Sequence, residues 1–98
     1  MPFDQPVPRP FVSTAVQAFA PSAPGVYGIS NAREWIYIGE TDNIKFALLT
    51  HMQELHASVM ERQPTGFVWE LCDGPQRTNR QNRLVLEYEP VYNRRERR

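Results

Sequence analysis

The sequence predicts a small α/β (α+β) domain in which helices flank a three-stranded antiparallel sheet. Three observations support this fold class. Two β-rich segments are separated by a short turn, an apolar repeat with steps of four and three residues follows them, and a third β-rich segment precedes a second helical pattern. The predicted element order is (α)ββαβα, where the bracketed helix precedes the sheet.

The first half of the chain predicts one helix and a hairpin. The helix lies within residues 11–19 and ends before Pro21, because proline cannot continue a helix. Residues 25–30 and 34–39 are rich in β-branched and aromatic side chains and predict two strands. The turn residues 31–33 lie between them, so the two strands are expected to pair as an antiparallel hairpin.

The second half of the chain predicts helix, strand and helix. Apolar residues at helical spacing indicate a helix over residues 43–61. They are Ile44, Leu48, Met52, Leu55 and Val59. A third strand is predicted over residues 67–72, and a last helix over residues 77–88 ends before Pro90. Residues 91–93 are expected to be extended.

This pattern predicts a single domain over residues 11–93 between two short terminal segments. Residues 1–10 contain four of the nine prolines and predict a proline-rich extended arm. Residues 94–98 contain four arginines and predict a disordered basic tail. A chain of 98 residues is well below the size at which a core divides into several domains.

The charges are balanced overall but unevenly distributed. Eleven basic and eleven acidic residues give a formal net charge of zero, which excludes a strongly basic histone-like chain and a strongly acidic tail protein. Residues 76–98 hold seven arginines and three glutamates, a net charge of +4. Arginine suits bidentate phosphate contacts, so this end indicates either a nucleic-acid surface or a solvated helix face.

The residues available exclude several kinds of site. Cys72 is the single cysteine, so neither an internal disulfide nor a cysteine-rich zinc site is expected. His51 and His56 are five residues apart, about 140° around a helix, and do not present together to a metal. Glycine-rich phosphate loops and the G-x-S-x-G motif are absent. No apolar run approaches the roughly 18 residues of a membrane span, and the first residues do not resemble a secretory signal. An intracellular location, cytoplasmic or associated with the nucleoid, and no membrane partner are therefore expected.

Two tyrosines, Tyr27 and Tyr37, lie on the two strands of the predicted hairpin. Side chains alternate between the faces of a strand, so the two phenols are expected on one face, close enough to serve one site. The alternative is an aromatic cross-strand pair that packs against a helix.

The motifs around these tyrosines occur in a distinctive order. Pro24-Gly25-Val26-Tyr27 is followed ten residues later by Tyr37-Ile38-Gly39-Glu40-Thr41, and Asn43-Ile44 then opens a helix. Further along, the chain reads Arg77-x3-Gln81-x2-Leu84-Val85-x4-Pro90-x-Tyr92-Asn93. Over residues 24–93 these motifs resemble the GIY-YIG nuclease superfamily, and they resemble its excision-repair incision-type domains in particular. The resemblance implies a GIY-YIG-like fold.

The resemblance also implies a mechanism for phosphodiester cleavage. In the family, a helix glutamate holds one divalent metal that binds the scissile phosphate, two tyrosines handle the attacking water or its proton, and a helix arginine neutralises the growing charge. Tyr27 and Tyr37 fall on the tyrosine positions, and His51 matches a histidine often found on the family's helix. The positions with a structural role are Gly25, Gly39 and Asn93.

Two positions depart from the family pattern. The family's arginine falls on Ala47, and its metal-binding glutamate falls on Gln81. Alanine carries no charge, and a neutral amide is a poor substitute for a carboxylate on magnesium. Removing one electrostatic stabiliser commonly costs about 10²–10³ in rate. A degenerate site, vestigial or weakly active, is therefore expected, with no metal ligand and no cofactor assigned.

The sequence thus predicts a catalytically impaired nuclease homologue that binds the nucleic-acid backbone weakly. The candidate contacts are Lys45, Arg77, Arg80 and Arg83. Two alternatives stay open. One is an active endonuclease that uses Mg²⁺ or Mn²⁺ with relocated catalytic residues. The other is a protein-interaction or regulatory module that binds a protein partner and no nucleic acid.

Overall fold

The computed structural model describes residue 3, residues 7–53 and residues 61–96, the last three of these without their side chains. Its elements in chain order are β1 (Arg9–Pro10), α1 (Ser13–Phe19), β2 (Gly25–Ser30), β3 (Trp35–Thr41), α2 (Ile44–Gln53), β4 (Gly66–Leu71), α3 (Gly74–Tyr88) and α4 (Val91–Glu96). The α+β class and the hairpin are therefore confirmed. The helix predicted over residues 43–61 is confirmed over Ile44–Gln53, while residues 54–60 lie outside the described part.

The sheet is antiparallel and has the strand order β1-β4-β2-β3. The prediction of three strands is wrong by one, because the proline-rich arm contributes a short edge strand. Arg9 pairs with Phe67, and Pro10 pairs with Gly66. Proline lacks an N–H group and is tolerated at a sheet edge, where one side of the strand has no neighbour to bond. A two-residue strand between prolines carries no alternating pattern from which it could be predicted.

Two hydrophobic cores lie on opposite sides of the sheet. The first packs α1 and α2 against the sheet, and its buried residues are Phe11, Ala15, Val16, Ala20, Tyr27, Ile29, Ile36, Ile44, Leu48 and Phe67. The second packs α3 against the other face, and its buried residues are Phe3, Val26, Ile38, Val68, Leu84 and Val85. Within the described residues, no helix is long and apolar enough to cross a membrane. The tyrosine motif faces the first core.

The C-terminal segment differs from its prediction. Helix α3 ends at Tyr88, and Glu89 adopts a left-handed conformation with a φ of 51° before Pro90 prevents continuation. Residues Val91–Glu96 then form α4 instead of an extended segment and a disordered tail. Proline is favourable next to a helix start, and Asn93 ties this helix to β3. Residues 97–98 lie outside the described range.

Candidate functional site

Tyr27, Tyr37 and His51 come together on the side of the sheet that faces α1 and α2. In the β2–β3 ladder Tyr27 opposes Gly39 and Tyr37 opposes Ile29, so both phenols project from one face. Their ring centroids are 6.1 Å apart, and the His51 ring lies 5.7 Å from Tyr27 and 5.4 Å from Tyr37. The prediction that the phenols share one face is confirmed.

A hydrogen bond of 2.9 Å joins the Tyr27 hydroxyl to His51 Nε2. Tyr27 is only 5% exposed, whereas Tyr37 and His51 are half-buried. The tautomer of the imidazole decides which of the two groups donates. A phenol and an imidazole at this distance can exchange a proton, which is the chemistry of general acid–base catalysis.

The two motif glycines permit close approach. A Cβ atom at Gly39 would lie 2.7 Å from the Tyr27 hydroxyl oxygen and 2.8 Å from Tyr37 Cε2. Real Cβ atoms do not tolerate such distances, so a side chain at this position would push the phenols away. At Gly25 a Cβ atom would overlap the carbonyl oxygen of Glu70 on β4. Glycine at both positions therefore lets β2, β3 and β4 bring the aromatic rings together.

Asn93 and Gln81 both bind the backbone of β3 at Ile38. Asn93 is 4% exposed; its Oδ1 accepts the Ile38 N–H at 2.7 Å, and its Nδ2 donates to the Ile38 carbonyl at 2.9 Å. Gln81 Nε2 donates to the same carbonyl at 3.2 Å. Since β3 is an edge strand, these amides take the place of a neighbouring strand. They hold the backbone next to Tyr37.

Ala47 lies on α2, four residues before His51, so the two residues share one side of the helix. Its methyl group is half-buried against the first core. The helix therefore presents no charge toward the tyrosines from this position.

Arg77 and Arg80 are held by carboxylates of the same chain. Arg77 Nη1 lies 2.8 Å from Asp42 Oδ1, and its Nε donates to Glu40 Oε1 at 3.1 Å. The hydrogen bond to Asp42, with Glu40 adding to it, raises the pKa of Arg77, so this guanidinium stays charged. Arg80 donates twice to Glu70, from Nε at 2.6 Å and from Nη2 at 2.8 Å. Both arginines thus use their donors within the fold.

Lys45 and Arg83 differ from those two arginines. Lys45 is half-buried on α2 and Arg83 is exposed on α3. No ion pair found among the described residues involves either of them. These two cations therefore remain available to an external anion.

The structure also brings Trp69 beside the tyrosines, a residue that none of the sequence motifs includes. Trp69 opposes Tyr27 in the β2–β4 ladder and is half-buried. Its alternation with Phe67 along β4 is the signal that could have indicated its face. The strand order that places it next to Tyr27 follows only from the fold.

Comparison with known proteins finds two kinds of sequence relative, an excinuclease and a protein of the UvrABC system. No protein-family model matches the chain. It is 32% identical to excinuclease Cho of Salmonella typhi over 93 residues, which cover 92% of this chain and 30% of Cho. It is 48% identical to UvrABC system protein C of a Hydrogenobaculum strain over 42 residues, which cover 43% of this chain and 7% of that protein. The chain spans less than a third of the length of these curated relatives.

Several solved structures of one nuclease domain have the same fold as this chain. The GIY-YIG N-terminal endonuclease domain of UvrC from Thermotoga maritima, bound to its catalytic magnesium, is 20% identical with a TM-score of 0.67, over 80% of this chain and 94% of that domain. A point mutant of the same domain gives a TM-score of 0.66 at 19% identity, over 80% of this chain and 93% of the mutant chain. The chain therefore has the GIY-YIG fold, and the resemblance to the GIY-YIG nuclease superfamily that its motifs indicate is confirmed.

Proposed function

We propose that this domain is an intracellular nuclease homologue that binds the nucleic-acid backbone and cleaves it poorly or not at all. The relatives are excinucleases by name, which supports nucleic acid as the partner. One observation is the main support for the proposed loss of cleavage. Where the family pattern has its metal-binding glutamate, Gln81 has a neutral amide that donates to the Ile38 carbonyl.

A divalent cation does not fit the described residues around Gln81. Magnesium takes oxygen ligands and is usually held through carboxylates. The carboxylates of Glu40 on β3 and Glu70 on β4 are bound by Arg77 and Arg80, respectively, instead. Within the part of the chain that the structure describes, no group of three or more His, Cys, Asp or Glu side chains is placed to hold a metal ion. We therefore assign no cofactor to this domain.

Ala47, at the position of the family's arginine, cannot neutralise the negative charge that grows on the phosphate during cleavage. The Tyr27–His51 pair can move a proton, but Ala47 does not supply the permanent positive charge with which an arginine stabilises a phosphoryl transition state. Loss of one such stabiliser costs about 10²–10³ in rate. The missing charge at Ala47 and the neutral amide at Gln81 together support a domain that still binds nucleic acid but cleaves it poorly or not at all.

The expected binding is weak and salt-dependent. Arg77 and Arg80 are neutralised within the fold, so phosphate contacts from the predicted set fall to Lys45 and Arg83. Each phosphate contact contributes a slope of about −0.7 to −0.9 to the plot of log affinity against log salt concentration. A small slope, near that of two contacts, is therefore expected from these residues.

Cleavage is tested with supercoiled plasmid and Mg²⁺ or Mn²⁺. We expect the native domain to nick no faster than the Tyr27→Phe variant. Nicking by the native domain that Tyr27→Phe abolishes would refute the proposal and favour an active enzyme with relocated residues.

The double variant Ala47→Arg, Gln81→Glu is expected to gain metal-dependent nicking. If it gains none, further positions of the site have also diverged.

Binding is tested separately with labelled DNA and RNA at about 50 mM salt, where phosphate contacts are strong. A mobility shift that weakens as salt increases is the expected result. If no nucleic acid binds under these conditions, the domain is a protein-interaction or regulatory module instead.

A further inference from the structure

Four side chains form a row across the face of the sheet that carries the tyrosines. They belong to Arg9, Trp69, Tyr27 and Tyr37. Arg9 on β1 opposes Phe67, which lies two residues before Trp69 on β4, and Trp69 opposes Tyr27 on β2. Tyr37 on β3 completes the row beside Tyr27. With strands 4.7–4.9 Å apart, three steps from β1 to β3 extend over about 14 Å. The row thus leads from the edge of the sheet to the tyrosine motif.

Arg9 is ordered by stacking and not by an ion pair. Its guanidinium carbon lies 4.0 Å from the centroid of the Phe19 ring and 5.7 Å from that of Trp69. Among the described residues, no carboxylate forms an ion pair with Arg9, in contrast to Arg77 and Arg80. Stacking uses the face of the guanidinium and leaves its five N–H donors at the edges. Arg9 is exposed, so these donors can reach a phosphate.

The aromatic partners of Arg9 are also accessible and restrained. Phe19, at the end of α1, is 49% exposed, so part of its ring is open to solvent. Trp69 is half-buried and stacks on Phe67 with ring centroids 5.8 Å apart and an angle of 24° between the planes. Rings that are already fixed lose little conformational freedom when a flat group stacks on them. Flat, fixed surfaces next to a cation suit the two chemical parts of a nucleotide.

We propose that Arg9, Phe19 and Trp69 form a platform that binds single-stranded nucleic acid. An unpaired base stacks against the exposed part of the Phe19 ring beside Trp69, Arg9 contacts an adjacent phosphate, and the strand continues toward Tyr27 and Tyr37. The partner is single-stranded because a base inside a duplex already has both faces covered by its neighbours. Stacking of this kind is tolerant of sequence and occurs with either DNA or RNA. This inference rests on the proposed function and names the binding surface and the class of strand.

The two tryptophans of the chain allow a direct test by fluorescence. Trp35 lies in the second core, with ring centroids 5.8 Å from Phe3 and 4.6 Å from Tyr88. In the Trp35→Phe variant, Trp69 is the single reporter, and we expect short oligothymidylate or oligouridylate to quench its emission. In the Trp69→Phe variant, Trp35 reports, and its emission is expected to stay unchanged.

Affinity and salt dependence test the two parts of the platform. Trp69→Leu and Phe19→Ser are each expected to weaken single-strand binding about 5- to 150-fold, the range for loss of one stacked base. Arg9→Ser is expected to reduce the salt slope by about 0.7, the value for one phosphate contact on a single strand. Arg33→Ser, at an exposed position on the 31–33 turn, is the matched control and is expected to change neither quantity.

The outcomes separate this inference from the proposed function. If the native domain binds single strands but Phe19→Ser and Trp69→Leu bind equally well, the platform is refuted while nucleic-acid binding stands. Binding of duplex alone, with no quenching of Trp69 by single strands, has the same consequence. If no nucleic acid binds, both proposals fail. Circular dichroism confirms the fold of each variant, and Phe19→Ser changes a half-exposed residue, so it serves if Trp69→Leu does not fold.

Discussion

Replacement of Asn93 by alanine tests how the edge of the sheet is held. The change removes the two hydrogen bonds between this side chain and Ile38. The Ile38 carbonyl keeps its hydrogen bond from Gln81, but the N–H of the buried Ile38 loses its acceptor, Asn93 Oδ1. A hydrogen bond contributes about 0.5–1.5 kcal/mol, and an unsatisfied buried group costs about 1–3 kcal/mol. We expect the free energy of unfolding to fall by about 2–4 kcal/mol.

Urea denaturation followed by tryptophan fluorescence measures this loss. Gln81→Ala is the matched control, because it removes one longer bond to an oxygen that Asn93 still satisfies, and it is expected to cost about 1 kcal/mol or less. Asn82→Ala changes an exposed amide on the same helix as Gln81 and is expected to have no effect. Asn93→Asp places a carboxylate oxygen against the Ile38 carbonyl and is expected to cost at least as much as alanine.

A loss below about 1 kcal/mol for Asn93→Ala, at an unchanged denaturant slope, would refute this reasoning. It would mean that water or a shift of α4 satisfies Ile38 without the side chain. The amide would then be dispensable for the backbone next to Tyr37.

Three further changes test the contacts around the site. Gly39→Ala places a Cβ atom 2.7 Å from the Tyr27 hydroxyl oxygen, so we expect a loss of about 1–3 kcal/mol in urea, and an unchanged midpoint would contradict the close contact. Glu70→Gln removes the negative charge that neutralises Arg80 and is expected to cost about 1–2 kcal/mol while raising the salt slope of nucleic-acid binding by about 1; a constant slope would show that Arg80 does not reach phosphate. Tyr27→Phe removes the bond to His51, costing about 0.5–1.5 kcal/mol, and NMR signals of the imidazole should shift.

The tyrosine motif could be predicted in part from local rules in the sequence. Alternation along two strands joined by a short turn favours Tyr27 and Tyr37 on one face, but the bulge between Ile29 and Ser30, which sets the observed register, cannot be identified from the pattern. His51 was indicated by the resemblance to the family, and its contact with Tyr27 depends on how α2 packs against the sheet. The strands themselves were predictable to within one or two residues of their observed ends.

The charged residues could not be placed in the same way. Arg77 and Arg80 lie three residues apart on one helix, and the sequence predicts both of them as contacts to nucleic acid. Their partners Glu40 and Glu70 lie 37 and 10 residues away in sequence, on strands whose order the sequence pattern does not contain. Whether an arginine meets solvent or a carboxylate is decided by tertiary packing. Helix α4 was missed for a related reason, since Asn93 helps to hold it and binds a strand 55 residues earlier.

The two borders of the sheet are built so that a further strand gains little by joining them. Within β1, Arg9 carries the single N–H group, because Pro10 has none. At the opposite border, Ile38 already exchanges both of its backbone bonds with Asn93. Templated growth of a fibril needs an unbroken ladder of free donors and acceptors. This domain interrupts that ladder on both sides with a handful of residues, which protects its exposed rings from becoming sites of aggregation.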